Sequence, residues 1–389
     1  MKPKGPSESY ILSSSPHARA PSSVRDIMLD VITAVLPAIV CGIAFIWRAD
    51  PSAGLHAALV TATCVSTCIL AEMLCRRAMK REQTVGDLSC VVTGLLLAAT
   101  LPPDVPLWMC IAGSLFAICI AKQVFGGLGY NLFNPAAAGR AFMLISFTGA
   151  MTTWSRSGWL SSFTAPLMSQ ATKQGSAADA ARSLAEKFAE QPLTVDFATT
   201  ATPLGVLKSG YAAELSVWNW DFLNTLFAGN INGSIGEISA LALLVGGVYL
   251  LVRKVISWHV PATFLGTMAL FAFFAFPSPV SFCDSLSARS AYALVHLLTG
   301  GAIIGAFYMA TDMVTGPFSD RGKLVFGAGC GAITMIIRLY GAYPEGVSFA
   351  ILVMNAFVPL IDRFTRPRPF GWREARKLEK AKAAAAKSK

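Results

Sequence analysis

Between Asp196 and Gly205 the chain reads DFATTATPLG, and these residue types suit a bound phosphate. Thr202 precedes Pro203, which biases Thr202 towards an extended backbone. Threonine is a good N-cap, and proline is favoured at the first helical position. One reading is therefore a helix start, with Thr202 capping PLGVLKSGYAAEL. A helix N-terminus with free N–H groups is also where a phosphate is best held. The two readings are compatible, because a phosphate bonded to the capping hydroxyl would lie in the field of the exposed amides.

Three other stretches carry chemistry-bearing residues. FGGLGYNLFNPAAAGRAF (125–142) sets Asn131 and Asn134 three residues apart after a glycine-rich turn. Their amides offer paired donors and acceptors beside an apolar surface. The same residues also read as a connection whose asparagines cap helices. YMATDMVTGPFSDRGK (308–323) places Asp312 and Thr315 in a polar turn at membrane depth, where irregular backbone needs protein or a cavity around it. Arg338, in IIRLYGAYPEG, lies within an apolar run, where an arginine marks function by default. Its nearness to the run's end would also let it snorkel outward. His296 reads as a neutral core imidazole. The nine cysteines include no CxxC pair, so neither a disulfide framework, a self-contained Fe–S site nor another metal centre is expected.

The elements that position these residues follow from composition. The 389 residues are 54% hydrophobic and only 14% charged, against about 25% charged in a soluble domain. That balance specifies an all-α polytopic membrane protein in contact with a lipid bilayer. Thirty-two basic and 22 acidic residues give +10, an excess expected of cytoplasmic loops rather than of nucleic-acid binding. Spans of about 20 apolar residues fall near 29–47, 54–74, 87–102, 106–124, 137–150, 236–252, 259–277, 289–310, 324–341 and 346–362. Basic residues Arg76, Arg77, Lys80 and Arg81, then Arg253 and Lys254, then Arg321 and Lys323, and finally the tail from Arg363, all fall in alternate gaps. The positive-inside rule therefore predicts about ten transmembrane helices with both termini cytoplasmic.

The organisation expected is a cytoplasmic segment 1–28, a first membrane half 29–150, an external segment 151–235, a second membrane half 236–362 and a basic cytoplasmic tail 363–389. Five spans on each side of the external segment would make the halves inverted if they arose by duplication. SAADAARSLAEKFAE (176–190) has the composition of a surface helix, and the glycine pairs of GAIIG and GAGCG suit close helix packing.

Asp196-x-x-Thr199-x-Ala201-Thr202 resembles the acceptor motif of flavin transferases, Dxx(S/T)GA(T/S), with Thr200 where that motif has glycine. Together with SSSPHARAPSSVRDIMLDVITAVLPA, GGLGYNLFNPAAAGRAF, ATDMVTGPFSDRGK and YPEGVSFAILVMNAFVPLID, it resembles the D-subunit family of Rnf-type ion-translocating oxidoreductases. That family is homologous to the B subunit of the sodium-pumping NADH:quinone reductase. The resemblance implies covalent FMN on Thr202 through a phosphoester, and riboflavin contacted by Asn131 and Asn134. It places Asp312, Thr315 and Arg338 in family motifs without giving them a role. It further implies a place in the bacterial cytoplasmic membrane, a second covalent-FMN subunit and Fe–S subunits as partners, and a flavin transferase for maturation. A GxGxxG after a strand is absent from the sequence, which leaves the nicotinamide site to other subunits. Read without the resemblance, helices broken by polar turns also describe a flavin-free secondary transporter, or a scaffold for partner subunits.

Overall fold

The computed structural model describes residues 23–152, 204, 220–229, 233–275, 286–341 and 345–366. Among them every regular element is helical. The first set comprises α1 (Val24–Ala49), α2 (Pro51–Ala78), α3 (Ser89–Ala99), α4 (Leu107–Leu115), α5 (Pro135–Ser146) and the short α6 (Thr148–Thr152). The second comprises α7 (Trp220–Ala228), α8 (Ala240–Val252), α9 (His259–Phe274), α10 (Leu286–Leu298), α11 (Ala302–Ile304), α12 (Asp320–Tyr340) and α13 (Val347–Phe364). α4 continues as a π-helix over Phe116–Gln123, and α11 as another over Gly305–Met309. Wider π turns of this kind recur at functional positions. Here each one leads into one of the two polar turns singled out in the sequence.

The caps explain where the helices begin. Ser23 and Asp26 form a reciprocal capping box on α1, with Ser23 N donating to Asp26 Oδ2 at 2.8 Å. Asp50 caps α2 ahead of Pro51, and the Ser52 hydroxyl and N–H hold its carboxyl below the usual carboxylate range. Asn134 caps α5 ahead of Pro135, accepting from Ala137 N at 3.1 Å. Ser239 and Ser319 cap α8 and α12 through their hydroxyls.

Helix occurs in every expected span, but the lengths differ from the expectation. Among the described residues, only α1, α2, α12 and α13 are both long and apolar enough to cross a membrane alone. A fifth crossing requires Arg289–Leu298 and Ala302–Met309 to act as one span bent by 66°. α3, with 11 residues, covers about 16 Å of a hydrocarbon layer about 30 Å thick. It ends inside the bundle at Thr100, where the chain reverses through buried Leu101 and Val105. Ile235 N and Gly236 N donate to Leu101 O and Ala99 O at 3.0 and 2.8 Å, so irregular backbone satisfies irregular backbone at this depth.

Small residues bring the helices together as expected. A methyl group on Gly327 would stand 2.8 Å from Val260 O, and one on Gly331 2.6 Å from Phe264 O, so α12 can approach α9 only with glycine at both sites. α1 runs antiparallel to α8, with Tyr249 Oη donating to Asp30 Oδ1 at 2.8 Å and Arg253 Nη2 3.2 Å from Asp30 Oδ2. At another meeting of ends, Phe318 N donates to Asp362 Oδ1 at 3.1 Å. Of the external segment expected at 151–235, residues 153–203 and 205–219, including the surface helix expected at 176–190, lie outside the described residues.

Candidate functional site

Two buried polar clusters occupy the interior. The first surrounds the turn after the π-helix of α4. Gly126, Gly127 and Gly129 adopt φ of 129°, 101° and 96°, the left-handed region that glycine alone enters cheaply. A methyl group at Gly127 would lie 2.5 Å from Arg76 Nη2. Asn131 Nδ2 donates to Phe133 O at 3.1 Å, while among the described residues its buried Oδ1 meets no donor. Asn134, besides capping α5, donates through Nδ2 to Met309 O at 3.1 Å and so ties the first polar turn to the second π-helix. The Asn355 amide is assigned with its oxygen accepting from Asn134 N at 3.1 Å. Asn134 is thus a helix cap, and Asn131 builds the turn with one buried acceptor left over.

Deeper along the same helices, Lys122 is fully buried. Its ammonium donates to Glu72 Oε2 at 2.6 Å and to Ser89 Oγ at 2.7 Å, and Thr84 Oγ1 donates to Glu72 Oε1 at 3.0 Å. Arg76 Nε stands 3.7 Å from the same carboxylate. Next to Lys122, the Gln123 amide is buried with neither atom hydrogen-bonded among the described residues. Asp312 and Thr315 bond to each other, Thr315 Oγ1 donating to Oδ2 at 3.1 Å while Val314 N donates to Oδ1 at 3.3 Å. These bonds give both residues a turn-building role.

The second cluster gathers at the interrupted helices. Arg338 does not snorkel. It is 3% exposed, and its guanidinium donates to His296 O at 2.6 Å, Thr299 O at 2.9 Å and Gly300 O at 2.7 Å. The outward reading fails because α10 ends beside Arg338, and its orphaned carbonyls take those donors. Arg140 treats α3 in the same manner, donating through Nη1 to Thr100 O at 2.6 Å. Its Nη2 pairs with Glu345, and its Nη1 lies 3.6 Å from Glu237 Oε1. Gly300 and Gly301 turn the chain here at φ of 63° and 72°. The His296 imidazole is buried edge-on against Tyr292, with centroids 4.6 Å apart, as a core ring would be.

The chain just after the Asp196–Thr202 motif reaches this cluster at one described residue, Leu204. Thr202, Asp196, Thr199 and Ala201 lie outside the described residues. Leu204 is described and buried, and a methyl group on Gly300 would lie 3.2 Å from Leu204 Cδ2 and 2.8 Å from Arg338 Nη2. The chain two residues beyond Thr202 therefore packs where Arg338 secures the broken helix. Sequence reading missed Arg140, Glu237, Glu345, Lys122 and Glu72. Each is a lone charge in or beside an apolar run, which is the signal that would have found them.

Interrupted helices whose ends are capped by buried arginines, beside four helices long and apolar enough to cross a membrane, define a helical membrane protein with charged groups packed in its interior. The comparisons with known proteins specify it further. Residues 11–371 match the model of the NQR2, RnfD, RnfE family. The chain is 42% identical, over 95% of its length and 98% of the relative's, to the D subunit of the Na(+)-translocating ferredoxin:NAD(+) oxidoreductase complex of Acetobacterium woodii. It is 39% identical to the D subunit of the proton-translocating ferredoxin:NAD(+) oxidoreductase complex of Clostridium ljungdahlii, over 94% of this chain and 97% of the other. With the D subunit of the ion-translocating oxidoreductase complex of Escherichia coli it shares 37% identity, over 94% and 99%. The chain belongs to the NQR2, RnfD, RnfE family.

Proposed function

We propose that this chain is the flavin-bearing D subunit of an ion-translocating ferredoxin:NAD oxidoreductase complex in the bacterial cytoplasmic membrane. The observation that carries this reading is the near-complete match to relatives bearing that name, in a chain that retains Asp196, Thr199, Ala201 and Thr202 at motif spacing. FMN bound to the Thr202 hydroxyl would supply electron transfer, and a riboflavin held at Asn131 and Asn134 would extend the route. Fe–S clusters, the nicotinamide site and a second covalent-FMN subunit belong to the partners.

The residues present fit such groups. Asn131 Oδ1 is a buried acceptor without a donor, and the nearby Gln123 amide offers both kinds of partner to a flavin's pyrimidine edge. Gly126, Gly127 and Gly129 keep side chains away from the turn beside them. Near the other end, Leu204 anchors the chain after the acceptor threonine, and Arg338 fixes the helix end against which it rests. The protein's contribution is to hold, orient and exclude water. The Asp30–Arg253 and Phe318–Asp362 contacts join the same ends that the basic residues assign to the cytoplasm, which supports the ten-span arrangement with the acceptor segment external.

The bent pair formed by α10 and Ala302–Met309 would also suit a secondary transporter without flavin. Fluorescence of the chain on a denaturing gel, after co-expression with a flavin transferase, separates the two. The flavin reading expects a fluorescent wild-type band that is lost in Thr202→Ala, and a dark wild-type band would favour the transporter.

A further inference from the structure

We propose that Glu237 is a proton-exchanging carboxylate within the membrane part of the protein, reached through a water-sized cavity between the two broken helices. The cavity, about 10 Å³, is lined by Thr100, Arg140, Glu237, Gly300, Gly301 and Glu345 among others. That volume accommodates about one water molecule. Glu237 is 6% exposed, and among the described residues its Oε1 has no hydrogen-bond partner. A methyl group at Gly301 would lie 2.7 Å from that oxygen, so glycine there leaves the carboxylate room.

The distribution of donors singles out Glu237. Arg140 commits Nη1 to Thr100 O and Nη2 to Glu345, and it reaches Glu237 only at 3.6 Å. Arg338 commits Nη1 and Nη2 to three carbonyls of α10 and the turn after it. The buried Glu237 and the half-buried Glu345 thus share one guanidinium, and Glu345 holds the closer bond. A buried carboxylate with a shared counter-charge is neutralised most cheaply by a proton.

The same geometry selects the ion. A sodium ion would need several oxygen ligands, and the carbonyls of Thr100 and Gly300 already accept from guanidinium groups. Two fixed positive charges also face the space that a metal cation would enter. An anion would meet both glutamates. A proton requires neither vacant ligands nor a second counter-ion. In the step, a hydronium in the cavity loses a proton as its O–H bond breaks and a new O–H bond forms on Glu237 Oε1, leaving water. The reverse step releases the proton, and no electron is involved. The charged groups around Glu237 are Arg140 from α5, Arg338 from α12 and Glu345 ahead of α13. His296 on α10 contributes its backbone carbonyl to Arg338. α3 and α11 contribute no titratable group from the cavity lining.

This inference adds a proton-holding site to the ion-translocating reading and needs no flavin on Thr202, so gel fluorescence and the test below fail independently. The test is infrared difference spectroscopy of the full-length chain during pH titration, following the carboxylic-acid C=O stretch. A band that grows as the pH falls is expected in wild type and lost in Glu237→Gln. In Glu345→Gln it should persist and titrate at lower pH, because Glu237 then holds Arg140 alone. A band unchanged in Glu237→Gln, or lost in Glu345→Gln, would overturn the proposal. So would displacement of the band at constant pH by sodium in place of choline. If Glu237→Gln elutes as aggregate, Glu345→Gln decides, and an unshifted titration there counts against the proposal.

Discussion

Asn134 donates through Nδ2 to Met309 O across 3.1 Å, joining residues 175 positions apart. The same side chain accepts from Ala137 N and begins α5. One asparagine thus sets the start of a 12-residue helix and fixes it to the π-helix over Gly305–Met309. The polar turn that carries Asn131 is held between these two constraints.

Replacing Asn134 tests both roles. Loss of the cap costs about 1 kcal/mol, and an unpaired buried carbonyl at Met309 adds about 1–3 kcal/mol. Asn134→Ser keeps a capping oxygen but cannot span to Met309. Thermal unfolding in detergent should rank wild type above Asn134→Ser and Asn134→Ser above Asn134→Ala.

The Lys122–Glu72 pair is buried at 2.6 Å with side chains essentially inaccessible. Lys122→Met leaves Glu72 with Arg76 at 3.7 Å as its remaining counter-charge. The expected loss is about 3 kcal/mol. Adding Glu72→Gln should recover most of it, because the uncompensated charge is gone. A double-mutant cycle on unfolding free energies measures the coupling, and additive single effects would contradict the pairing.

Arg338 satisfies three carbonyls with two nitrogens, a fork that lysine cannot reproduce. Arg338→Met should destabilise the protein by about 3–5 kcal/mol, since the end of α10 is left unsatisfied in the interior. Arg338→Lys should recover less than half of that loss. Flavin incorporation should fall in the same order, because Leu204 rests beside this helix end.

Gly331 and Gly327 set the approach of α12 to α9. A methyl at Gly331 would meet Phe264 O at 2.6 Å, which forces the helices apart. Gly331→Val should cost about 1–3 kcal/mol as an overpacking change. By contrast, a methyl at Gly266 on α9 would meet no atom within 4 Å, so Gly266→Ala should leave the melting temperature nearly unchanged.

Much of this arrangement was legible along the chain, for reasons that are local. Asn134–Pro135 announced a helix start, and the glycines around Leu128 announced a left-handed turn, because caps and φ preferences are properties of adjacent residues. The helices were legible as apolar runs, although among the described residues only four, or five with the bent pair, are long and apolar enough to cross a membrane. The shortness of α3 was not, since hydropathy continues through Leu101 after the backbone has left the helix. The Arg140, Glu237, Glu345 and Arg338 cluster draws its members from three far-separated parts of the chain, and no spacing rule links those parts. Arg338 pointing inward depends on where α10 breaks, which is settled by Gly300, Gly301 and their surroundings.

The central claim, that this chain carries FMN on Thr202, is tested most directly by peptide mass spectrometry of protein co-expressed with a flavin transferase. The account predicts one phosphoester-linked FMN adduct on the peptide spanning Asp196 to Thr202, with fragmentation placing it on Thr202. An adduct on Thr199 or Thr200, or an unmodified peptide at full recovery, would contradict it.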